Sequence, residues 1–215
     1  MSAASRASLR SNRPRRTRRR AAPPIRRAAS AAVLLAALAA VSACSEGTNG
    51  GGGGTNFVAG SDGVDTVEKG ERAALPALSG KTVSGGHVDV ADHRGKVVVI
   101  NVWGSWCPPC RAEAKNFEAV YKDLKDDGVE FVGINTRDAS TGLARAFEKE
   151  FGVTYPSLYD PTGKLMLRFA KGTLNPQAVP STLVVDREGK IAARTLQALS
   201  EKKLREMIAP VLAEK

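Results

Sequence analysis

The run Lys96-Val97-Val98-Val99-Ile100-Asn101-Val102 constrains this chain more than any other stretch. Unbroken β-branched residues, with almost no polar alternation, mark a strand buried on both faces, as in a sheet covered on each side. The run breaks off into Trp103–Cys110. A helical pattern follows, with Phe117, Val120, Tyr121 and Leu124 at i, i+3, i+4 and i+7. Asp126-Asp127-Gly128 ends that helix, and Val129–Asn135 is apolar again, a second strand. Two such strands joined through a helix pair in parallel by a right-handed crossover, so the fold class is α/β.

The flanking segments extend this unit. Gly-rich Leu78–Gly95 has the composition of a small hairpin. Downstream, Leu143, Phe147 and Phe151 recur every four residues before Gly152, a second helix with its stop. Tyr155–Tyr159 reads as a short strand, Asp160-Pro161-Thr162-Gly163 as a turn and Lys164–Ala170 as a short helix. Thr182–Val185 and Lys190–Leu196, around Asp186-Arg187-Glu188-Gly189, form an antiparallel hairpin. Ser200 caps a last helix with Leu204, Met207, Ile208, Val211 and Leu212 on one face and Pro210 kinking its end. The expected architecture is a mixed central sheet flanked by helices, with an αβ insertion after the first βαβ unit. Residues 71–215 are enough to sustain a single core.

The 215 residues carry a formal net charge of +10, and its position decides its meaning. Arg6, Arg10, Arg13, Arg15, Arg16, Arg18, Arg19, Arg20, Arg26 and Arg27 all lie in residues 1–43, which contain no acid. Removing them from the 32 Lys and Arg leaves the rest matched by the 22 Asp and Glu. The folded part is therefore no basic domain built to hold phosphates, and nucleic acid is not an expected partner. Ala28–Ala43 is uncharged and mostly Ala, Leu and Val. As a helix it spans about 24 Å, short of a hydrocarbon core of roughly 30 Å. A basic stretch followed by a short apolar one has the layout of a secretory signal, the alternative being an Arg-rich tail that binds nucleic acid or lies disordered. Its end, Val41-Ser42-Ala43-Cys44, resembles the lipobox of bacterial lipoproteins. That resemblance implies cleavage before Cys44, acylation of its thiol and a lipid anchor on the extracytoplasmic face of the cell membrane. Arg26-Arg27 leaves the general secretory and twin-arginine routes both open. Ser45–Gly70, with Gly50–Gly54 inside it, is expected to be a flexible tether, in which Phe57-Val58 and Val64–Val67 are candidates for a short strand or two. The expected plan is a signal over 1–43, a lipidated Cys44 and tether over 44–70, and a folded domain over 71–215.

Besides Cys44, the only cysteines are Cys107 and Cys110, in Trp106-Cys107-Pro108-Pro109-Cys110 at the junction of strand and helix. The unpaired N–H groups and partial positive charge of a helix start favour a thiolate, and can bring a thiol pKa from about 8.5 into roughly 3.5–7.5. Pro108 and Pro109 fit the first turn, where no intrahelical N–H partner is needed. Cys107, at the mouth, is expected to be the exposed nucleophile, and Cys110, one turn in, the shielded resolving thiol. Cys110, Glu113, Phe117, Val120 and Leu124 share one helix face. Glu113 thus lies near the apolar side, where desolvation and a nearby thiolate both raise its pKa. It is expected to pass a proton to or from Cys110; the alternative is a surface Glu on a frayed turn. For the pair itself, a zinc half-site needs two more ligands, and only His87 and His93 remain. A structural disulfide across so short a loop stabilises little. A redox pair is the reading the position favours.

Lys96–Cys110 (KVVVINVWGSWCPPC), followed by Arg111-Ala112-Glu113, resembles the thioredoxin superfamily and, within it, the extracytoplasmic TlpA/ResA-type thiol:disulfide oxidoreductases. The resemblance covers about Glu71–Lys215 and implies a thioredoxin-like fold, with the insertion at Ser140–Tyr159. Thiol–disulfide exchange of this kind needs no cofactor and no metal. Val179-Pro180-Ser181-Thr182 is similar to the family's cis-proline loop, which implies a cis Pro180 and a Val179 backbone that pairs with an extended substrate. Trp106 matches a position that shields the disulfide and touches substrates, and Trp103 is expected in the core. Thioredoxins proper place a buried acid six residues before the first cysteine, where this chain has Asn101; the TlpA/ResA branch places it at Glu113. That branch often has a proline two residues further on, here Lys115.

The implied partners are disulfide-bearing exported proteins, with the haem-site cysteines of apocytochrome c as a candidate, and a membrane electron-relay reductant. Three alternatives stay open. A disulfide oxidase or isomerase differs in reduction potential, where about 30 mV shifts the balance tenfold. A peroxidase of the same fold needs Thr/Ser-x-x-Cys and an arginine, whereas Ser105 stands two residues before Cys107. A non-catalytic binding module is the third.

Overall fold

Every residue of Val97–Trp103 is buried, because the strand it forms is central. In the computed structural model, which describes residues 55–214, the elements in chain order are β1 (Val58–Ala59), β2 (Val64–Thr66), β3 (Ser79–Lys81), β4 (His87–Asp89), β5 (Val97–Trp103), α1 (Pro108–Leu124), β6 (Val129–Thr136), α2 (Thr141–Phe151), β7 (Ser157–Asp160), β8 (Ser181–Val185), β9 (Ile191–Thr195) and α3 (Glu201–Ala213). The signal segment, Cys44 and the glycine run lie outside the described residues.

Seven strands make one sheet in the order β1-β2-β9-β8-β5-β6-β7, with β3 and β4 as a separate hairpin. β6 runs parallel to β5 and to β7. β8 runs antiparallel to β5, and β9 to β8, so the sheet is mixed. Period-two alternation sorts the side chains of β5. Val97 and Val99 face Phe117 and Val120 of α1 and Leu204, Met207 and Ile208 of α3. Val98, Ile100 and Val102 face the other way, toward Leu78, Val90, Met166 and Phe169 from the hairpin and loops. The edge at β7 is covered where the Val83 N–H donates to the Ser157 carbonyl at 2.8 Å, which removes an open template for strand pairing.

Several expectations change. The fold begins before Glu71: β2 pairs with β9, and Phe57, Val64 and Val67 are buried in the core. Apolar side chains 3 to 13 residues past the glycine run anchor this hairpin, so the stretch from residue 55 belongs to the sheet rather than to a tether. Leu143 was expected beside Phe147 and Phe151 but is 53% exposed. The inward stripe of α2 runs through Ala144 and Phe147, and Leu143 falls at its margin. Lys164–Ala170 contributes only a 3-10 turn, Met166–Arg168. The third strand of the parallel set starts later than Tyr155, at Ser157, because Tyr155 turns its ring onto Phe131 and Tyr121. The αβ insertion is present as α2 and β7. α3 carries Pro210 and continues to Ala213.

Candidate active site

β5 and β6 are parallel, so their carboxyl ends open on the same edge of the sheet, the usual place for a site in such folds. The chain leaves β5 through Gly104, Ser105 and Trp106 and enters α1 with Cys107 as its N-cap. Pro108 and Pro109 occupy the first helical positions, where a missing N–H costs nothing. Cys107 and Cys110 are joined, with an S–S distance of 2.16 Å. The Cys110 N–H donates to Cys107 Sγ at 3.3 Å. This is the helix-start donor that supports a thiolate once the bond opens.

Cys107 is not exposed as expected. At 2% it is as buried as Cys110 at 1%. In the oxidised form its sulfur is turned inward to Cys110, 3.5 Å from the Val179 carbonyl oxygen. The Val179–Pro180 peptide bond, in the loop before β8, is cis. A disulfide sulfur has no proton to give; in the reduced state a Cys107 thiol is placed to donate to this carbonyl. Val179 and Pro180 therefore lie beside Cys107.

Glu113 is 2% exposed, which removes the frayed-surface alternative. Its Oε1 accepts from Asn101 Nδ2 at 3.0 Å and its Oε2 from the Leu199 N–H at 2.9 Å. Burial pushes its carboxyl up to about 7, against the pull of those two hydrogen bonds. Asn101 reaches it because Asn101 shares the face of Val97 and Val99, the face that α1 covers. The residue that marked a departure from thioredoxins proper is thus the amide that positions the carboxyl, and it also lies 3.4 Å from Thr182 Oγ1 on β8.

Trp103 is in the core, stacked on Phe147 with ring centroids 4.3 Å apart. A Cβ at Gly133 would stand 2.7 Å from its Nε1, so that strand position must be glycine. Trp106 is 46% exposed, and its Nε1 donates to the Thr136 carbonyl at 3.3 Å. A Cβ at Gly104 would stand 2.5 Å from the same nitrogen; glycine is what lets the indole fold back over the loop.

One cluster lay outside the sequence reading. Asp138, 1% exposed, accepts from the Ser105 N–H at 3.0 Å, from the Ser105 hydroxyl and from Asn135 Nδ2. The segment after β6 thereby clamps the segment after β5. Its only signal in the sequence was position: polar residues just past the carboxyl end of a second parallel strand.

Two bonded cysteines at a helix start, on the carboxyl edge of this mixed sheet, define the class: a protein of thioredoxin-like fold carrying a disulfide at Cys107 and Cys110. The chain belongs to the AhpC/TSA family, whose model matches residues 72–194. It is similar to the thiol:disulfide interchange protein HelX of Rhodobacter capsulatus, 38% identical over 120 residues, which are 55% of this chain and 62% of that one. The match to HelX thus spans less than two thirds of its length. The thiol-disulfide oxidoreductase ResA of Bacillus subtilis is 27% identical over 139 residues, 65% of this chain and 73% of that one. Among solved structures, a DsbF homologue from Corynebacterium diphtheriae is 35% identical and superposes with a TM-score of 0.65, over 71% of this chain and 96% of that one.

Proposed function

We propose that this protein reduces disulfides in exported proteins, apocytochrome c among them, while held by acylated Cys44 on the extracytoplasmic face of the cell membrane. The observation that carries the chemistry is the buried carboxyl of Glu113 on the same helix face as Cys110, one turn beyond the bonded sulfurs. In the reduced protein the Cys107 thiolate attacks a partner disulfide; one partner sulfur joins Cys107 and the other leaves as a thiolate. Glu113 takes the proton of Cys110, whose thiolate then attacks Cys107 Sγ and expels the second partner sulfur. Two electrons pass from the cysteine pair to the partner, which takes up two protons and ends as a dithiol. A membrane electron-relay protein returns two electrons to the Cys107–Cys110 bond. Trp106, Val179 and Pro180 line the approach of the partner chain.

The membrane half of the reading rests on the basic segment, the apolar run and the lipobox-like Val41–Cys44. Among the described residues no helix is long and apolar enough to cross a membrane. Peroxidase chemistry is disfavoured at one position. The residue three before Cys107 is Gly104, and a side chain there would strike the Trp106 indole, while the Ser105 hydroxyl is tied to Asp138.

A Cys110→Ser trap in the native cell tests the function. Exported proteins joined to Cys107, identified by mass spectrometry, with the native pair mostly dithiol at steady state, are expected. A pair found mostly as disulfide at steady state identifies an oxidase instead. Incorporation of labelled fatty acid that is lost in Cys44→Ala tests the anchor.

A further inference from the structure

We propose that Arg137, laid on Trp106 beside the redox pair, selects partner proteins that carry an acidic side chain next to their reactive cysteine. The inference rests on the exchange reaction proposed above and concerns the choice of substrate within it.

Arg137 is one of two non-glycine residues with positive φ among the described residues, at φ 59°. That region is disfavoured for a residue with a Cβ, and such outliers persist where the surroundings fix them. Here they do. Thr136 on one side accepts from the Trp106 indole, Asp138 on the other holds Ser105, and the Arg137 N–H itself donates to the Asp160 carbonyl at 3.3 Å. The result of this backbone is placement: the guanidinium carbon sits 4.6 Å from the centroid of the Trp106 ring.

A guanidinium over an aromatic ring has five N–H donors, which the ring contact does not use as hydrogen bonds. Those of Arg137 make no hydrogen bond and no ion pair among the described residues, and the ring contact is its one interaction there. Arg111 shows the contrast. It also stacks, 4.9 Å over Phe151, but its charge is paired with Glu150 at 2.6 Å. Arg137 instead presents an unpaired, oriented cation on an exposed indole whose residue directly precedes Cys107. A partner chain whose cysteine bonds to Cys107 comes within reach of this platform, because Trp106 is the residue next to it. The group that fits a planar fork of donors with a positive charge is a carboxylate.

Peptide disulfides identical except for Asp, Asn or Lys beside the cysteine, reacted with the reduced full-length protein, test this. We expect the second-order rate constant for Asp to exceed that for Asn by roughly three- to tenfold at low salt, with Lys slowest and the spread shrinking as salt rises. In Arg137→Gln the Asp-to-Asn ratio falls to about one, and Arg137→Glu reverses the order. Arg137→Gly, which suits the left-handed backbone, gives the same flat ratio and separates lost charge from a disturbed loop. Equal rates for Asp and Asn in the native protein, or a preference that survives in Arg137→Gln and Arg137→Gly, overturn the assignment alone. No exchange with any of the three peptides overturns the exchange reading and this assignment together.

Discussion

Glu113 shows how one buried side chain couples chemistry to stability. Its carboxyl ionises at about 7 in the folded chain against an ordinary value of 4.5, because the folded state disfavours the charged form. The stability it contributes is therefore fully present below pH ~4.5 and is lost as pH rises through ~7. Glu113→Gln is expected to flatten the pH dependence of urea unfolding across that window. At pH 8 the variant gains at most about 3 kcal/mol, since each pKa unit corresponds to about 1.4 kcal/mol. The same substitution should alter the pH profile of Cys107 and Cys110 reactivity, and an unaltered profile would remove Glu113 from the proton path. Gly104 makes a steric case. Gly104→Ala puts a methyl group 2.5 Å from the Trp106 indole nitrogen; a loss of about 1–3 kcal/mol, from overpacking, and a shifted tryptophan emission are expected. The helix register made Glu113 legible in the sequence. Gly104 was not legible, because its constraint comes from an indole that folds back on it.

At the scale of elements, the carboxyl ends of β5 and β6 are fastened to each other rather than merely adjacent. Asp138→Ala leaves the Ser105 N–H and the Asn135 amide without their acceptor. We expect a loss of roughly 2–3 kcal/mol by thermal unfolding, together with slower disulfide exchange as the loop before Cys107 loosens. The helix ends follow local rules more simply. Ser200 Oγ accepts from the Lys203 N–H at 3.3 Å, so Ser200→Ala should cost about 1 kcal/mol. Strands and caps were readable from spacing because both depend on neighbours within a few residues. The inward stripe of α2 was not: Leu143 fits a period of four as well as Phe147 does, and only the packing of Ala144 and Phe147 beside Trp103 decides which side is inside.

For the whole molecule, the segment before Glu71 is part of the fold. Phe57 lies under the Arg194 guanidinium, 4.1 Å from its ring centroid, and β1–β2 closes the β9 edge of the sheet. Phe57→Ala should cost about 3 kcal/mol. A chain starting at Glu71 is expected to unfold at markedly lower denaturant and to aggregate through the bared β9 edge, whereas one starting at Thr55 keeps its stability. Arg72 adds a second tie, reaching Asp186 at 3.0 Å and Glu214 at 2.6 Å. Read alone, the amino-acid order determined the βαβ unit, the cysteine pair at a helix start, the inward-facing Glu113 and, through resemblance, the cis proline. The first three follow from periodicity or motif within a short window, and the cis proline from the resemblance alone. Tertiary structure decided that Asn101 and Leu199 hold the Glu113 carboxyl, that Val179 faces Cys107, that Asp138 grips Ser105 and that Arg137 lies on Trp106. Those contacts join residues 12 to 86 positions apart. Hydrophobic spacing specifies which face of an element is buried, but which side chains from other elements meet there is set only when the sheet is assembled and its loops converge.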